Sequence, residues 1–210
     1  MLLAFCIAFL SGCKEEYGRP DTRTYKITDT YTSLEVSSAF AVFMSEVVTE
    51  PVITLPELLF DKLIFEVNDR TLKISLRMQD KENVQEAIVK LPLNMSLQTI
   101  KADGACKMTA GELPDVRSIS LSGASELEIV GSADILEINI AGASTLKARG
   151  LDAGTVKGEI SGASDADVSV CQTLNVSLSG ASELTYGVYD DDCQPKVDCT
   201  CSDASEIHKR

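Results

Sequence analysis

Hydrophobic and polar positions alternate with a period of two through the second half of the chain. Aliphatic side chains stand two and four residues before a recurring glycine, as Leu121 and Ile119 do before Gly123. The alternation resumes four and six residues after it, at Leu127 and Ile129. Side chains of a β-strand point to opposite faces in turn. The pattern therefore predicts one strand before and one strand after each such glycine.

The glycine belongs to a phrase, Ser or Ala followed by Gly-Ala-Ser, that occurs four times, at residues 122–125, 141–144, 161–164 and 179–182. Degenerate copies flank it at 103–106, where cysteine replaces the serine, and at 202–205, where aspartate replaces the glycine. The corner residues are 19, 19, 20, 18 and 23 residues apart. The predicted corners are Gly104, Gly123, Gly142, Gly162, Gly180 and Asp203, and the predicted serine column is Ser125, Ser144, Ser164, Ser182 and Ser205.

Strand, corner, strand and a short polar connection, repeated about every 19 residues, predict an all-β solenoid whose coils stack about 4.8 Å apart. A helical repeat is excluded by the alternation, and the order of a leucine-rich repeat is absent. We expect the glycine to supply a positive φ, the alanine to point inward, and the serines to hydrogen-bond along the stack. One coil alone cannot offset the entropy of ordering its backbone, so stability must come from the interfaces between coils.

The N-terminal half contains short β-type runs without the repeated phrase. Asn68-Asp69-Arg70 between two of them predicts a hairpin turn. We expect residues 33–95 to form less regular coils or a small β-cap. No linker separates the halves, so a single domain over 33–207 is predicted, with regular repeats from about residue 100 to 207.

The first residues, Met1 to Leu10, are almost uniformly apolar and too short for a bilayer span, which favours a signal peptide. Leu10-Ser11-Gly12-Cys13 resembles the lipobox of bacterial lipoproteins, although no Lys or Arg precedes the apolar run. The prediction is a signal peptide over 1–12, lipid on Cys13 and a tether over 13–32. The alternative is an N-terminal segment buried on the core.

Charge and residue content remove several classes of function. The net charge of −13 disfavours nucleic acid as a partner. The single histidine, His208, lies near the end of the chain, so no interior imidazole is available as a base or zinc ligand. No cofactor, metal or catalytic residue is therefore predicted.

Five cysteines remain if Cys6 is removed with the signal and Cys13 is lipidated. Cys193 lies in an insertion over 190–195 and is a candidate to pair with Cys199 or Cys201, with free thiols as the alternative. Cys199 and Cys201 occupy columns held elsewhere by aliphatic residues, so we expect both to point into the core. The column after the repeat serine reads Lys107, Glu126, Thr145, Asp165, Glu183 and Glu206, which predicts either repulsion or a bound cation at its acidic end.

The short strands, the Leu91-Pro92 strand end and the Ser-Gly-Ala-Ser coils together resemble the family described as "putative auto-transporter adhesin, head GIN domain", over about residues 33–207. The resemblance implies a right-handed, single-stranded β-helix on an envelope lipoprotein of Bacteroides-type bacteria, with an adhesin-like role and no catalytic residues to transfer. Cys106 and Asp203 depart from the repeated phrase.

The sequence is compatible with three functions. The first is a non-enzymatic module of the outer membrane, held by its lipid, that presents a β-helix face to a glycan or protein. The second is a structural spacer or a self-associating homo-oligomer. The third is a polysaccharide-active enzyme, which is disfavoured because the acids lie in short turns.

Overall fold

The computed structural model describes residues 18–77 and 87–210. The described chain is nearly all β, with 62% strand and 3% helix. A short 3-10 helix spans Glu57–Lys62. The strands are β1 Pro20–Thr24, β2 Ser33–Ser38, β3 Phe40–Ser45, β4 Val52–Pro56, β5 Leu63–Asn68, β6 Thr71–Leu76, β7 Ala87–Pro92, β8 Thr99–Gly104, β9 Lys107–Leu113, β10 Ser118–Leu121, β11 Glu126–Ile140, β12 Thr145–Ile160, β13 Asp165–Leu178, β14 Glu183–Gly187, β15 Lys196–Val197, β16 Thr200–Cys201 and β17 Glu206–Lys209.

These strands stack into a β-helix of about six turns, which confirms the predicted fold class. Sheet A is formed by β6, β2, β8, β10, the second halves of β11, β12 and β13, and then β15 and β16. Sheet B is formed by β7, β3, β9, the first halves of β11, β12 and β13, and then β14 and β17. The stacked pairs within both series are parallel, as expected when each strand lies one coil above its equivalent.

The first coils do not stack in the order in which they occur along the chain. Strand β2 lies between β6 and β8, and β3 lies between β7 and β9. The coil made by β6 and β7 is therefore the outermost one, although it follows β2 and β3 in sequence. Its free edges are covered by antiparallel strands: β5 pairs with β6, β4 with β7, and β1 with β4. These strands close the N-terminal end of the stack.

The predicted hairpin is confirmed as the turn between β5 and β6, where Asp69 and Arg70 have φ of 47° and 60°. Two consecutive left-handed residues are the requirement of a type I′ hairpin turn.

The core is a set of aliphatic columns that run along the helix axis. Leu127 pairs with Leu146, and Ile140 with Ile160, and all four side chains are buried. Each inward side chain thus packs on equivalents from the coils above and below. A buried Leu or Ile contributes about 1.5–3 kcal/mol relative to an exposed one.

The corner glycines approach one another along the stack. Gly123 and Gly142 have φ of 75° and 82°, and an added Cβ at Gly142 would lie 2.4 Å from the carbonyl oxygen of Gly123. The amide of Ala143 donates to that same oxygen at 2.7 Å. A side chain at this corner would therefore be strained in its backbone and would also push two coils apart.

The expected direction of the corner alanine is wrong. The alanines of the phrase are exposed and the serines after them are buried. The reason is parity: the serine stands two residues before an inward leucine, as Ser144 does before Leu146, so both side chains point to the core.

The signal peptide over 1–12 and the lipidation site Cys13 lie outside the described residues. The predicted tether is described from Gly18, and its later part pairs as β1. In the part of the chain that is described, helices are too short and too polar for a membrane span.

Candidate interaction surface

The helix presents three outer sides, which we name by what they carry. The polar face is the outer surface of sheet A, with columns such as Lys101, Ser120, Asn139, Glu159, Ser177 and Thr200. The charged face is the outer surface of sheet B. The Tyr189 groove runs along the third side, where sheet B connects to the next strand of sheet A.

The serine column is an internal hydrogen-bonded ladder. The Ser144 hydroxyl accepts from the Ser125 amide at 3.3 Å and donates to the Ala141 carbonyl at 2.9 Å. The Ser164 hydroxyl likewise accepts from the Ser144 amide at 3.3 Å. Buried hydroxyls with satisfied partners hold a fixed corner geometry and are closed to outside ligands.

At the two ends of this column the repeated Gly-Ala-Ser sequence is altered, by Cys106 at one end and by Asp203 at the other. Cys106 is buried in the serine position and its thiol donates to the Ser38 carbonyl at 3.0 Å. Burial raises the pKa of the Cys106 thiol, so it stays protonated at neutral pH. Asp203 takes the glycine position with φ of 59°, and its carboxylate accepts from the Gly180 amide at 3.2 Å. Ser205 follows Asp203 in the column and is half-buried.

The charged face contains the column that the sequence pattern singled out. Glu126 lies between Lys107 at 3.3 Å and Lys147 at 2.5 Å. The hydrogen bond from Lys147 is the main reason that the pKa of Glu126 is lowered. At the acidic end, His208 lies 3.6 Å from Glu183 and 3.2 Å from Glu206. An imidazole thus lies between the stacked acids. The described residues contain no cluster of metal-ligating side chains.

The Tyr189 groove takes its polar groups from successive turns of the helix and has a volume of about 530 Å³. It is lined by Pro114, Asp115, Arg117, Ser132, Ala133, Asp134, Asp152, Gly154, Gln172 and Tyr189. Tyr189 is 44% exposed. The groove therefore combines an accessible aromatic ring with amide, carboxylate and guanidinium groups, a set that sequence reasoning did not identify.

One wall of the groove is fixed by an ion pair. Arg117 donates to Asp115 at 2.7 Å through Nη2, and Gln98 donates to the same carboxylate at 2.8 Å. These contacts, Arg117 first, lower the pKa of Asp115. Asp134 and Asp152 form no ion pair with any described residue, so the groove keeps a net negative charge.

The proposed pairing of Cys193 with Cys199 or Cys201 is corrected by the structure. Cys193 forms a disulfide with Cys171, and Cys199 and Cys201 carry free thiols. Cys199 is half-buried against the core, whereas Cys201 is exposed because its coil is the last described one. The signal that was missed is stacking: Lys196, three residues after Cys193, pairs with Thr173, two residues after Cys171.

A second concavity of about 510 Å³ lies near the N-terminal end and includes Tyr25, Tyr31, Glu50 and Asn94. Asn94 donates to the Tyr31 carbonyl at 2.8 Å, and Tyr31 is itself buried. These groups already hold a loop in place, so this cleft is the weaker candidate for ligand binding.

Fold and surface together define a β-helix protein with a closed aliphatic core and polar outer columns. Residues 114–187 match the family model described as "Putative auto-transporter adhesin, head GIN domain", which confirms the resemblance for the regular coils. No curated protein matches the chain.

Solved structures share the fold over nearly the whole chain. A putative adhesin from Bacteroides fragilis is 16% identical with a TM-score of 0.66, covering 91% of this chain and 97% of its own. A putative adhesin from Parabacteroides distasonis is 15% identical with a TM-score of 0.52, covering 92% and 98%. A putative lipid binding protein from the same species is 21% identical with a TM-score of 0.50, covering 92% and 97%. At these identities the likeness establishes the fold.

Proposed function

We propose that the chain is a non-enzymatic, adhesin-like interaction module of the cell envelope, anchored by lipid on Cys13. The observation that carries the proposal is the difference between the inward and the outward positions of the coils. Inward positions are aliphatic or hydrogen-bonded serine, and the outer columns repeat polar groups at the coil spacing. A rigid rod with repeated outer groups suits a partner that itself repeats, such as a glycan or a glycoprotein.

The family match and the fold shared with proteins named as adhesins support this proposal. The N-terminal position of Cys13 supports it as well, because β1 lies at the closed end of the stack. A lipid on Cys13 would leave the remaining coils directed away from the membrane.

Binding is tested with the full-length chain, extracted in detergent and applied to arrays of glycans and purified secreted glycoproteins. The proposal expects saturable binding to at least one glycan or glycoprotein. Absence of binding across both arrays would contradict it, and release of new reducing ends from a polysaccharide would show an enzyme instead.

Anchoring is tested by growth with an alkyne-tagged fatty acid. The chain should carry the tag, and Cys13→Ser should abolish the labelling and leave the apolar segment uncleaved. A labelled Cys13→Ser protein would contradict lipidation at this residue.

Self-association is the second candidate, and one observation favours it. Within the described residues, β17 pairs with β14 on one edge and has no partner on the other. An open edge can pair with another chain. Light scattering after size exclusion distinguishes a monomer from an oligomer, and a concentration-independent monomer would remove this candidate.

A further inference from the structure

We propose that the Tyr189 groove is a binding site for a linear, neutral oligosaccharide, with Tyr189 as the ring on which one sugar stacks. This inference rests on the proposed function and names its ligand class and its location. It is carried by four features of the groove: its repeat, its aromatic ring, its charge and its covalent support.

The repeat comes from the β-helix itself. Asp115, Asp134, Asp152 and Gln172 come from successive turns, and the turns are about 4.8 Å apart. Asp152 lies in the column beside the other three, because it stacks on Ser132, two residues before Asp134. A pyranose ring has a comparable length along a chain. A linear oligosaccharide lying along the helix axis would therefore meet one hydrogen-bonding side chain for each sugar.

The aromatic ring is at one end of this row. Tyr189 is exposed although it lines a groove, and its ring has an apolar body that can pack on the C–H face of a sugar. Carboxylate and amide groups beside it can accept and donate to sugar hydroxyls. The flat apolar ring suits the C–H face of a pyranose, and the planar polar groups suit the hydroxyls at its edge.

Charge selects against acidic sugars. The guanidinium of Arg117 forms its ion pair with Asp115 and attracts Asp134 only at longer range, and Asp152 forms no ion pair with a described residue. Uronic acids and sialic acids would meet these two carboxylates at close range. A neutral ligand avoids that repulsion.

The disulfide supports the ring. Cys171 precedes Gln172, and Cys193 lies four residues after Tyr189. The Cys171–Cys193 bond thus ties the segment that carries Tyr189 to the turn that carries Gln172. Cys193 is buried, and its amide donates to the Asp190 carbonyl at 3.0 Å within a local turn. Reduction should therefore release the aromatic wall while the coils remain folded.

The test measures binding of the full-length chain in detergent to neutral hexasaccharides of glucose, mannose and galactose by calorimetry, with a hexuronate as the acidic probe. Tyr189→Ala should weaken binding on the order of tenfold or more. Phe43→Ala is the matched control, since Phe43 is 42% exposed on the charged face, and it should change affinity less than about twofold.

Two further comparisons sharpen the test. Gln172→Ala should weaken binding several-fold, whereas Asn175→Ala, on the polar face of the same strand, should not. Cys193→Ser should lower affinity about as much as Tyr189→Ala, with an unchanged far-ultraviolet circular dichroism spectrum showing that the β-helix persists.

The outcomes separate this inference from the proposed function. Glycan binding that survives Tyr189→Ala and Gln172→Ala overturns the groove and leaves the adhesin-like role standing. Binding to a protein alone, or preferential binding of the hexuronate, also overturns it. If the unmodified chain binds no glycan and no glycoprotein, both the groove inference and the proposed function are overturned.

Discussion

The coils after Thr99 and the coils before it form one stack by two different means. After Thr99, each coil follows the previous one in sequence and in space, and every corner from Gly104 to Gly180 is a glycine with positive φ. Before it, the coils stack out of sequence order. Ser38 occupies the corner position with φ of 82°, and the buried Phe40 occupies the position of the column serine.

This difference shows what the repeated phrase is for. In the regular coils two backbones meet at each corner, so glycine is required by close approach as well as by φ. In the coil of β2 and β3 the corner tolerates the side chain of Ser38, and beyond the next coil antiparallel strands end the stack. Regular coils are needed for one coil to stack on the next, and the irregular N-terminal coils with their antiparallel strands end the stack.

The largest expected effect is at a regular corner. Gly142→Ala would place a Cβ 2.4 Å from the Gly123 oxygen. We expect a loss of about 3 kcal/mol, from about 1–2 kcal/mol of left-handed strain and 1–3 kcal/mol of displacement. Urea unfolding followed by circular dichroism measures it, with Ala143→Ser as the exposed control. Equal midpoints for the two variants would show that the corners are not in close contact.

The serine ladder should give the next largest effect. Ser144→Ala leaves the Ser125 amide without its hydroxyl acceptor in a buried site. An unsatisfied buried group costs about 1–3 kcal/mol. Ser120→Ala, on the polar face, should change the unfolding free energy by less than about 0.5 kcal/mol. A Ser144→Ala protein as stable as the Ser120→Ala protein would contradict a structural role for the column.

The repeat explains which parts of this fold were accessible from the sequence. Identical phrases at nearly constant spacing locate the corners, and alternation around them locates the strands. The stacking of β2 between β6 and β8 had no comparable signal, because β2 and β6 share no phrase. Pairing there depends on tertiary packing.

The candidate site was less accessible for the same reason. The groove is built from connections, which vary from coil to coil, and Tyr189 directly precedes the insertion over 190–195, which has no equivalent in earlier repeats. The disulfide partner of Cys193 could have been found by aligning the last two coils. The inward serines could have been found by counting parity from Leu146.

At the irregular corner the expected sign reverses. Ser38→Gly removes left-handed strain of about 1–2 kcal/mol but adds about 0.5–1 kcal/mol of conformational freedom to the unfolded chain. We therefore expect a stabilisation of about 0.5 kcal/mol, measured as a small rise in the urea midpoint. The Ser38 hydroxyl accepts a hydrogen bond from the Leu76 amide at 3.5 Å, and this bond is too long and weak to reverse the expected stabilisation. A destabilised Ser38→Gly protein would mean that this corner depends on its serine.

The smallest effect concerns the charged face, where regular stacking places Glu126 between two lysines. On the polar face of the N-terminal coils, Glu35 forms an ion pair with Lys73 at 3.2 Å and with no other described residue. Lysine contacts hold the pKa of Glu126 below its ordinary value, so the folded state gains stability above the unfolded-state pKa and loses it as pH falls through the folded-state pKa. At neutral pH, Glu126→Gln should lower the melting temperature slightly, since pairs at a surface contribute about 0–1 kcal/mol.

That difference should disappear in acid, where Glu126 is protonated and resembles glutamine, and it should shrink in high salt. Glu35→Gln is the matched variant from the irregular coils and should change the melting temperature less, because Glu35 has one cationic partner in place of two. If the effect of Glu126→Gln persists unchanged below the folded-state pKa, the destabilisation comes from lost packing. The ion pairs of Glu126 with Lys107 and Lys147 would then contribute nothing to the stability of the stack.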